Sequence, residues 1–274
     1  MKRTAPKPIS AVLIPTLLLL GLVTGCGKKS VEIAPDLASS DEALYKLGEQ
    51  SLKKDTERAL LYLRQVIDSF PKSFYAQRAK LLIADAYFRK GDESNMILAA
   101  AEYREFIRSY PYSPSAAYSQ YQIAMTFYKK MLKPGRDPSK TIQALGEFKK
   151  VVADYPASDQ AKDAQERIKE CEERLASHSA EIAIGYYERR GYVAAISRLT
   201  EIMTTYPDYT GLDSVYFYLG DCHFMIRQYD QSAPFFTKVI SDYPNSKLAK
   251  TATKRLQEIP KLKAAAAEVK VKKS

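Results

Sequence analysis

Three cysteines and two histidines carry the side chains best suited to covalent or metal chemistry in this 274-residue chain. His178 and His223 lie 45 residues apart, with no His-x-x-x-His spacing, no Cys-x-x-Cys pair and no glycine-rich phosphate loop. No metal, cofactor or catalytic residue is therefore expected, and the chain is not read as an enzyme. His223 is placed in a core, and His178 continues an apolar helical stripe. Cys171 and Cys222 fall at inward-looking helical positions, where a free thiol behaves as a small hydrophobe, and no disulfide is expected. Cys26 is different: small residues, Thr24 and Gly25, precede it, and an apolar run leads up to them. Its thiol is placed for covalent modification.

The residues before Cys26 explain that placement. Lys2, Arg3 and Lys7 precede an apolar stretch from Ile9 to Leu22, a charged region followed by a hydrophobic one of signal-peptide length. The stretch is shorter than the ~18–20 residues that a bilayer core demands. Val23-Thr24-Gly25-Cys26 resembles the lipobox of bacterial lipoproteins, in which the cysteine takes the lipid. Several acyl chains, each buried CH₂ contributing about 0.8 kcal/mol, make such an anchor effectively permanent. By the sorting rule that this resemblance implies, glycine at position 27 directs the protein to the outer membrane. Residues 1–25 are thus a signal peptide, and 26–40, with Pro35 and no sustained helical period, a lipidated flexible tether.

Composition bounds the rest. Hydrophobic residues make up 46% and charged residues 27%, with only 11 glycines and 14 prolines against 20 tyrosines, which favours packed helices joined by short turns. The formal charge is +10, but much of it sits in the signal peptide and in a lysine-rich tail at 261–274, so nucleic acid is not an expected partner. That tail reads either as a solvated, frayed terminus or as a contact for anionic lipid headgroups.

One phrase recurs five times: Asp68-Ser69-Phe70-Pro71, Arg108-Ser109-Tyr110-Pro111, Ala153-Asp154-Tyr155-Pro156, Thr204-Thr205-Tyr206-Pro207 and Ser241-Asp242-Tyr243-Pro244. Each follows an amphipathic segment and precedes a hydroxyl residue (Ser73, Ser113, Ser158, Thr210, Ser246) expected to N-cap the next helix. The fifth unit, with Tyr216, Leu219, Gly220 and His223, then Ser232, Phe236 and Val239, is similar to the tetratricopeptide template. The fourth aligns as Ile182, Ala183, Tyr186, Ala195, Leu199 and Ile202. The expected fold is an all-α tetratricopeptide-repeat solenoid of about five helix-turn-helix repeats over 41–260. Insertions of about three residues near Asn95 and about eight at Leu132–Ser139 are assigned to intra-repeat turns. From Ser158 to Arg190 no helix breaker occurs, which predicts one long helix, packed on neighbouring repeats or paired with a partner helix.

Lipobox, tether and repeats together resemble the BamD family of outer-membrane β-barrel assembly lipoproteins. The resemblance is sharpest at Arg136-Asp137-Pro138, at Lys149–Pro156, along the long helix, and in Tyr186-Tyr187-Glu188-Arg189-Arg190-Gly191 before Val193–Arg198. It implies a scaffold at the periplasmic face whose C-terminal half docks on a POTRA domain of a BamA-like barrel subunit. Its N-terminal half receives unfolded outer-membrane proteins. Arg198, with Arg189 and Arg190 nearby, is the expected docking cluster, since a guanidinium binds a carboxylate bidentately; a solvated helix arginine is the other reading. First helices of such repeats line the concave face, which places Tyr45, Glu49, Arg78, Asp85, Tyr118, Tyr121, Met125 and Tyr128 in a peptide groove or in packing between repeats. A periplasmic repeat lipoprotein of pilus, secretin or cell-wall assembly is the alternative function.

Overall fold

The computed structural model describes residues 40–271; the signal peptide, Cys26, Gly27 and nearly all of the tether lie outside them. Among the described residues there are eleven helices: α1 Asp41–Ser51, α2 Thr56–Ser69, α3 Phe74–Lys90, α4 Glu93–Ser109, α5 Ala116–Tyr128, α6 Ser139–Asp154, α7 Asp159–Glu188, α8 Tyr192–Thr205, α9 Leu212–Met225, α10 Tyr229–Asp242 and α11 Ala249–Val271. They pair as five antiparallel hairpins with α11 closing the C-terminal end. No helix among them is long and apolar enough to cross a membrane.

The recurring phrase ends each second helix by one device. A residue before proline is disfavoured in the α region because the proline ring crowds its backbone. Phe70, Tyr110, Tyr155, Tyr206 and Tyr243 accordingly sit at φ between −128° and −136°. Each still donates its N–H to the carbonyl four residues back, at 2.9–3.2 Å, which satisfies one helix-terminal acceptor as the chain turns away.

The hydroxyls after these prolines divide their work. Ser73 and Ser158 N-cap α3 and α7 through the N–H groups of Tyr75 and Ala161, at 3.0 and 3.1 Å. Ser113 and Ser246 bond to nearby N–H groups of Ser115 and Leu248, ahead of the helix start, and Thr210 caps nothing. Gly211 intervenes there, and Glu173 of α7 accepts both the Thr210 N–H and its hydroxyl. In four of the five phrases the hydroxyl is held by the first helix of the preceding repeat: Asp41 with Ser73, Gln77 with Ser113, Glu173 with Thr210 and Asp213 with Ser246. The residue expected to start a helix thus also ties one repeat to the next.

Within a hairpin the helices meet over small residues. A Cβ at Gly220 would stand 2.9 Å from the Phe236 ring, and one at Gly48 would stand 2.7 Å from Leu63, so only glycine allows these approaches. Ser232, fully buried, donates its hydroxyl to the Gly220 carbonyl at 2.7 Å. The core is a chain of four clusters, as expected where each repeat packs only on its neighbours.

The long helix forms where expected, over 30 residues, with Ser158 as its cap. Its first half buries Ala164 and Cys171 against repeat 3; its second buries Ala176, Ala180 and Ala183 against repeats 4 and 5. Neighbouring repeats therefore occupy its apolar stripe. His178 is not core: half-buried, it donates from Nδ1 to the Pro134 carbonyl, and Arg174 donates to the Leu132 carbonyl at 2.6 Å. Together they pin the third repeat's long turn. His223 is half-buried, stacked on Phe235 at 5.8 Å and bonded to Gln228.

Two boundaries differ from expectation. The extra residues of the second repeat lengthen its helices instead of its turn, since α3 and α4 each have 17 residues where α8, α9 and α10 have 14. Gly91, in the left-handed region at φ 76°, and Asp92, which caps α4 through the Asn95 N–H, close the turn in two residues. At the other end α11 crosses residue 260, where the sequence places the domain boundary, and runs through Pro260 to Val271. Pro260 is exposed, so solvent compensates for the helix hydrogen bond it removes.

Helix α11 is held by an ion pair between half-buried Arg255 and a buried carboxylate. Arg255 Nε lies 2.8 Å from Oδ1 of Asp221, which is 1% exposed, and the Tyr187 hydroxyl donates to the other carboxylate oxygen. Breaking such a pair strands a buried charge. Arg255→Ala is expected to destabilise the C-terminal repeats by about 3 kcal/mol, read as a lower urea midpoint by circular dichroism. The apolar pair Asp221→Leu with Arg255→Met should recover most of the loss.

Candidate peptide groove and docking arginines

The eight residues assigned to a groove fall in three patches along the first helices of repeats 1–3. In the first, the Arg78 guanidinium lies 4.8 Å above the Tyr45 ring, and the Tyr45 hydroxyl donates to Glu49 at 3.4 Å. Tyr45 is only 5% exposed, while Glu49 and Arg78 are open to solvent. The patch offers a partner two opposite charges over a covered ring.

The second patch centres on Asp85, which accepts from the Tyr118 hydroxyl at 2.9 Å and from the Tyr103 hydroxyl at 2.5 Å. Tyr103 comes from the second helix α4 and is fully buried. Burial and the facing carboxylate push the Tyr118 hydroxyl up to about 12 and Tyr103 further still. Both phenols remain donors throughout the neutral range.

In the third patch Tyr121 and Tyr128 pack on Phe148 at 5.4 and 5.9 Å, with Met125 in the same half-buried cluster. Arg167 of α7 stands 5.0 Å over the Tyr128 ring and donates to its hydroxyl at 3.0 Å; Tyr128 in turn donates to Glu170. Those bonds from Tyr128 and Arg167 hold the Glu170 carboxyl below the usual carboxylate range. Arg167 and Glu170 were not in the predicted set. Their i,i+3 spacing on the long helix was visible, but their reach to Tyr128, 39 and 42 residues away, depends on how α7 lies against α5. Tyr121, Met125 and Tyr128 are therefore half-buried between repeats with part of each side chain still facing out. Packing and presentation coexist in them.

Two of the three arginines assigned to docking meet on a residue outside the predicted set. Arg189 and Arg198 each place their guanidinium 5.5 Å from the ring of Tyr186, one from the end of α7 and one from α8. Arg190 lies in the turn between these helices with φ 62°, a left-handed conformation that is uncommon for arginine. All three are exposed, and among the described residues none forms an ion pair. The two stacked guanidinium groups keep their N–H edges available to a carboxylate.

Cys171 and Cys222 are fully buried in separate clusters, and burial pushes both thiols up to about 12.

The fold defines a tetratricopeptide-repeat solenoid. A tetratricopeptide-repeat family matches residues 214–246, the fifth repeat. Residues 37–220, which include every patch above and all three arginines, match the YfiO family, described as outer membrane lipoproteins, and the chain belongs to that family. Among curated relatives, an outer membrane protein assembly factor BamD of Vibrio cholerae is 29% identical over 70% of this chain and 82% of its own length. One of Rickettsia prowazekii is 26% identical over 86% of this chain and 92% of its own length. The family resemblance read from the sequence agrees with these matches.

The raised tyrosines set the alkaline limit of the second patch. Unfolded tyrosine ionises near ~10, so stability linked to Tyr118 is fully present below that pH and is lost as the pH rises toward 12. Absorbance titration at 295 nm should show Tyr103 and Tyr118 ionising only with unfolding. Tyr118→Phe should remove one late-titrating group and lower the thermal midpoint, since a hydrogen bond to a charged group contributes about 1.5–3 kcal/mol.

Proposed function

We propose that the chain is a lipid-anchored scaffold of outer-membrane β-barrel assembly, held through Cys26 at the periplasmic face of the outer membrane. In this reading the arginine cluster of repeat 4 docks on a POTRA domain of a BamA-like barrel subunit. The first-helix face of repeats 1–3 receives unfolded outer-membrane proteins. No catalysis is assigned to it. The relatives' names as assembly factors support the process.

The observation that carries the division of labour is the separation of two chemistries on one solenoid. Repeats 1–3 present half-buried tyrosines with fixed hydroxyls, whose ring faces suit an extended chain offering aromatic side chains. Repeat 4 presents two guanidinium groups preorganised on Tyr186, which suit a carboxylate on a folded partner. The long helix joins the two regions without a break.

The test is affinity purification of the lipidated protein from its native outer membrane in mild detergent, comparing wild type with Arg198→Glu. A large β-barrel with POTRA domains should co-purify with the wild type and be weakened at least tenfold in the variant. Retention of the barrel by both would remove Arg198 from the interface, and recovery of a pilus or cell-wall assembly instead would overturn the reading. For the groove, Tyr121→Ala with Tyr128→Ala should weaken binding of an unfolded outer-membrane-protein peptide, without changing barrel recovery.

A further inference from the structure

Exposed apolar side chains scattered singly over a surface need no explanation, but three on this solenoid are not scattered. Ile97, Ile142 and Val193 each stand 14 residues before the proline of their own repeat's phrase, in the first turns of α4, α6 and α8. They are 64%, 55% and 73% exposed. The equivalent position is Glu57 in repeat 1 and Asp230 in repeat 5. Three successive repeats thus carry an exposed β-branched apolar residue at one register position of the second helix, a row that ends in charge on the flanking repeats. The row lies beside the intra-repeat turns, and in repeat 4 Val193 follows the turn that carries Arg190.

A cleft of about 150 Å³ opens in this row between repeats 2 and 3. Its floor is Met96 and Ala100, both buried, and its walls are Ile97 and Phe127. A cavity near that size holds a benzene ring, so the cleft has room for one phenylalanine or leucine side chain. Its rim is mainly basic. Lys130 and Lys140 stand beside it with no ion pair among the described residues, Lys140 lies 5.7 Å over the Phe127 ring, and Arg104 shares Glu147; Glu93 is the one acidic residue of the rim.

We propose that this edge is a second docking surface, which takes an acidic segment of a partner protein. One apolar side chain of the segment enters the cleft, its carboxylates face Lys130 and Lys140, and further apolar side chains cover Ile142 and Val193. Charge complementarity selects the occupant: the cleft alone would accept any apolar side chain, whereas the lysines disfavour a basic segment. The inference does not rest on the proposed function, since it uses none of the groove residues or docking arginines.

The probe is a fluorescein-labelled 12-residue peptide (about 12 residues spans three repeats when extended) of alternating glutamate and leucine or phenylalanine. It is titrated by fluorescence anisotropy against the whole mature chain in detergent. Binding is expected, weakening as salt rises. Ile97→Glu combined with Lys140→Glu should reduce affinity at least tenfold, and Tyr121→Ala with Tyr128→Ala should leave it unchanged. Ile97 is exposed and Lys140 half-buried, and circular dichroism checks that each variant folds. The proposal is overturned by any of four results: no binding of the peptide, binding undiminished in the Ile97→Glu, Lys140→Glu variant, equal binding of a lysine-for-glutamate version, or self-association in sedimentation velocity that Ile97→Glu abolishes, which would assign the row to a second copy of the chain.

Discussion

Everything in this structure depends on the steric conflict between a proline ring and the backbone before it. Five times that conflict drives a phenylalanine or tyrosine out of the helical region, ends a second helix and sends the chain into the next repeat. No single hairpin encloses a core of its own, so the order of the turns fixes which helices must share one. The hydrogen bonds in which Asp41, Glu173 and Asp213 accept from the hydroxyl after the next phrase, and Gln77 donates to it, then hold successive hairpins together.

The long helix gives this modular chain its continuity. Cys171 belongs to the cluster of repeat 3, and Ala176, five residues on, to that of repeats 4 and 5. A single hydrogen-bonded cylinder therefore spans the region between the tyrosine patches and the arginine cluster. At its C-terminal end Tyr187 reaches Asp221, and Asp221 reaches Arg255, so the same helix that begins under Tyr128 ends in the network that clamps α11. Both regions therefore pack on one element, α7.

The repeats were legible because their signals are local. A proline, an aromatic before it and small residues at hairpin crossings need no knowledge of the rest of the chain, and the sequence places all five hairpins and the long helix. The misplaced features involve competition between local rules and neighbours. Thr210 looks like a cap until Glu173 takes its hydroxyl, and the residues around Asn95 look like a wider turn until Gly91 closes that turn in two residues. The candidate site is legible to the same degree. Helical spacing placed Tyr118, Tyr121 and Tyr128 on one element, yet their partners Tyr103, Arg167 and Glu170 come from other helices. Tyr186, legible as a repeat-template residue and as part of the family phrase, is the ring on which Arg189 and Arg198 meet.

The central claim is that one solenoid holds two different partners on two separated faces. Site-specific photocrosslinking in intact cells tests it most directly, with a photoreactive phenylalanine analogue at position 121 in one strain and at position 198 in another. The account predicts that position 121 captures newly made outer-membrane proteins only briefly after a radiolabel pulse. Position 198 should capture one large barrel protein at a constant level throughout the chase. The same adduct at both positions, or an adduct at position 121 that persists through the chase, would contradict it.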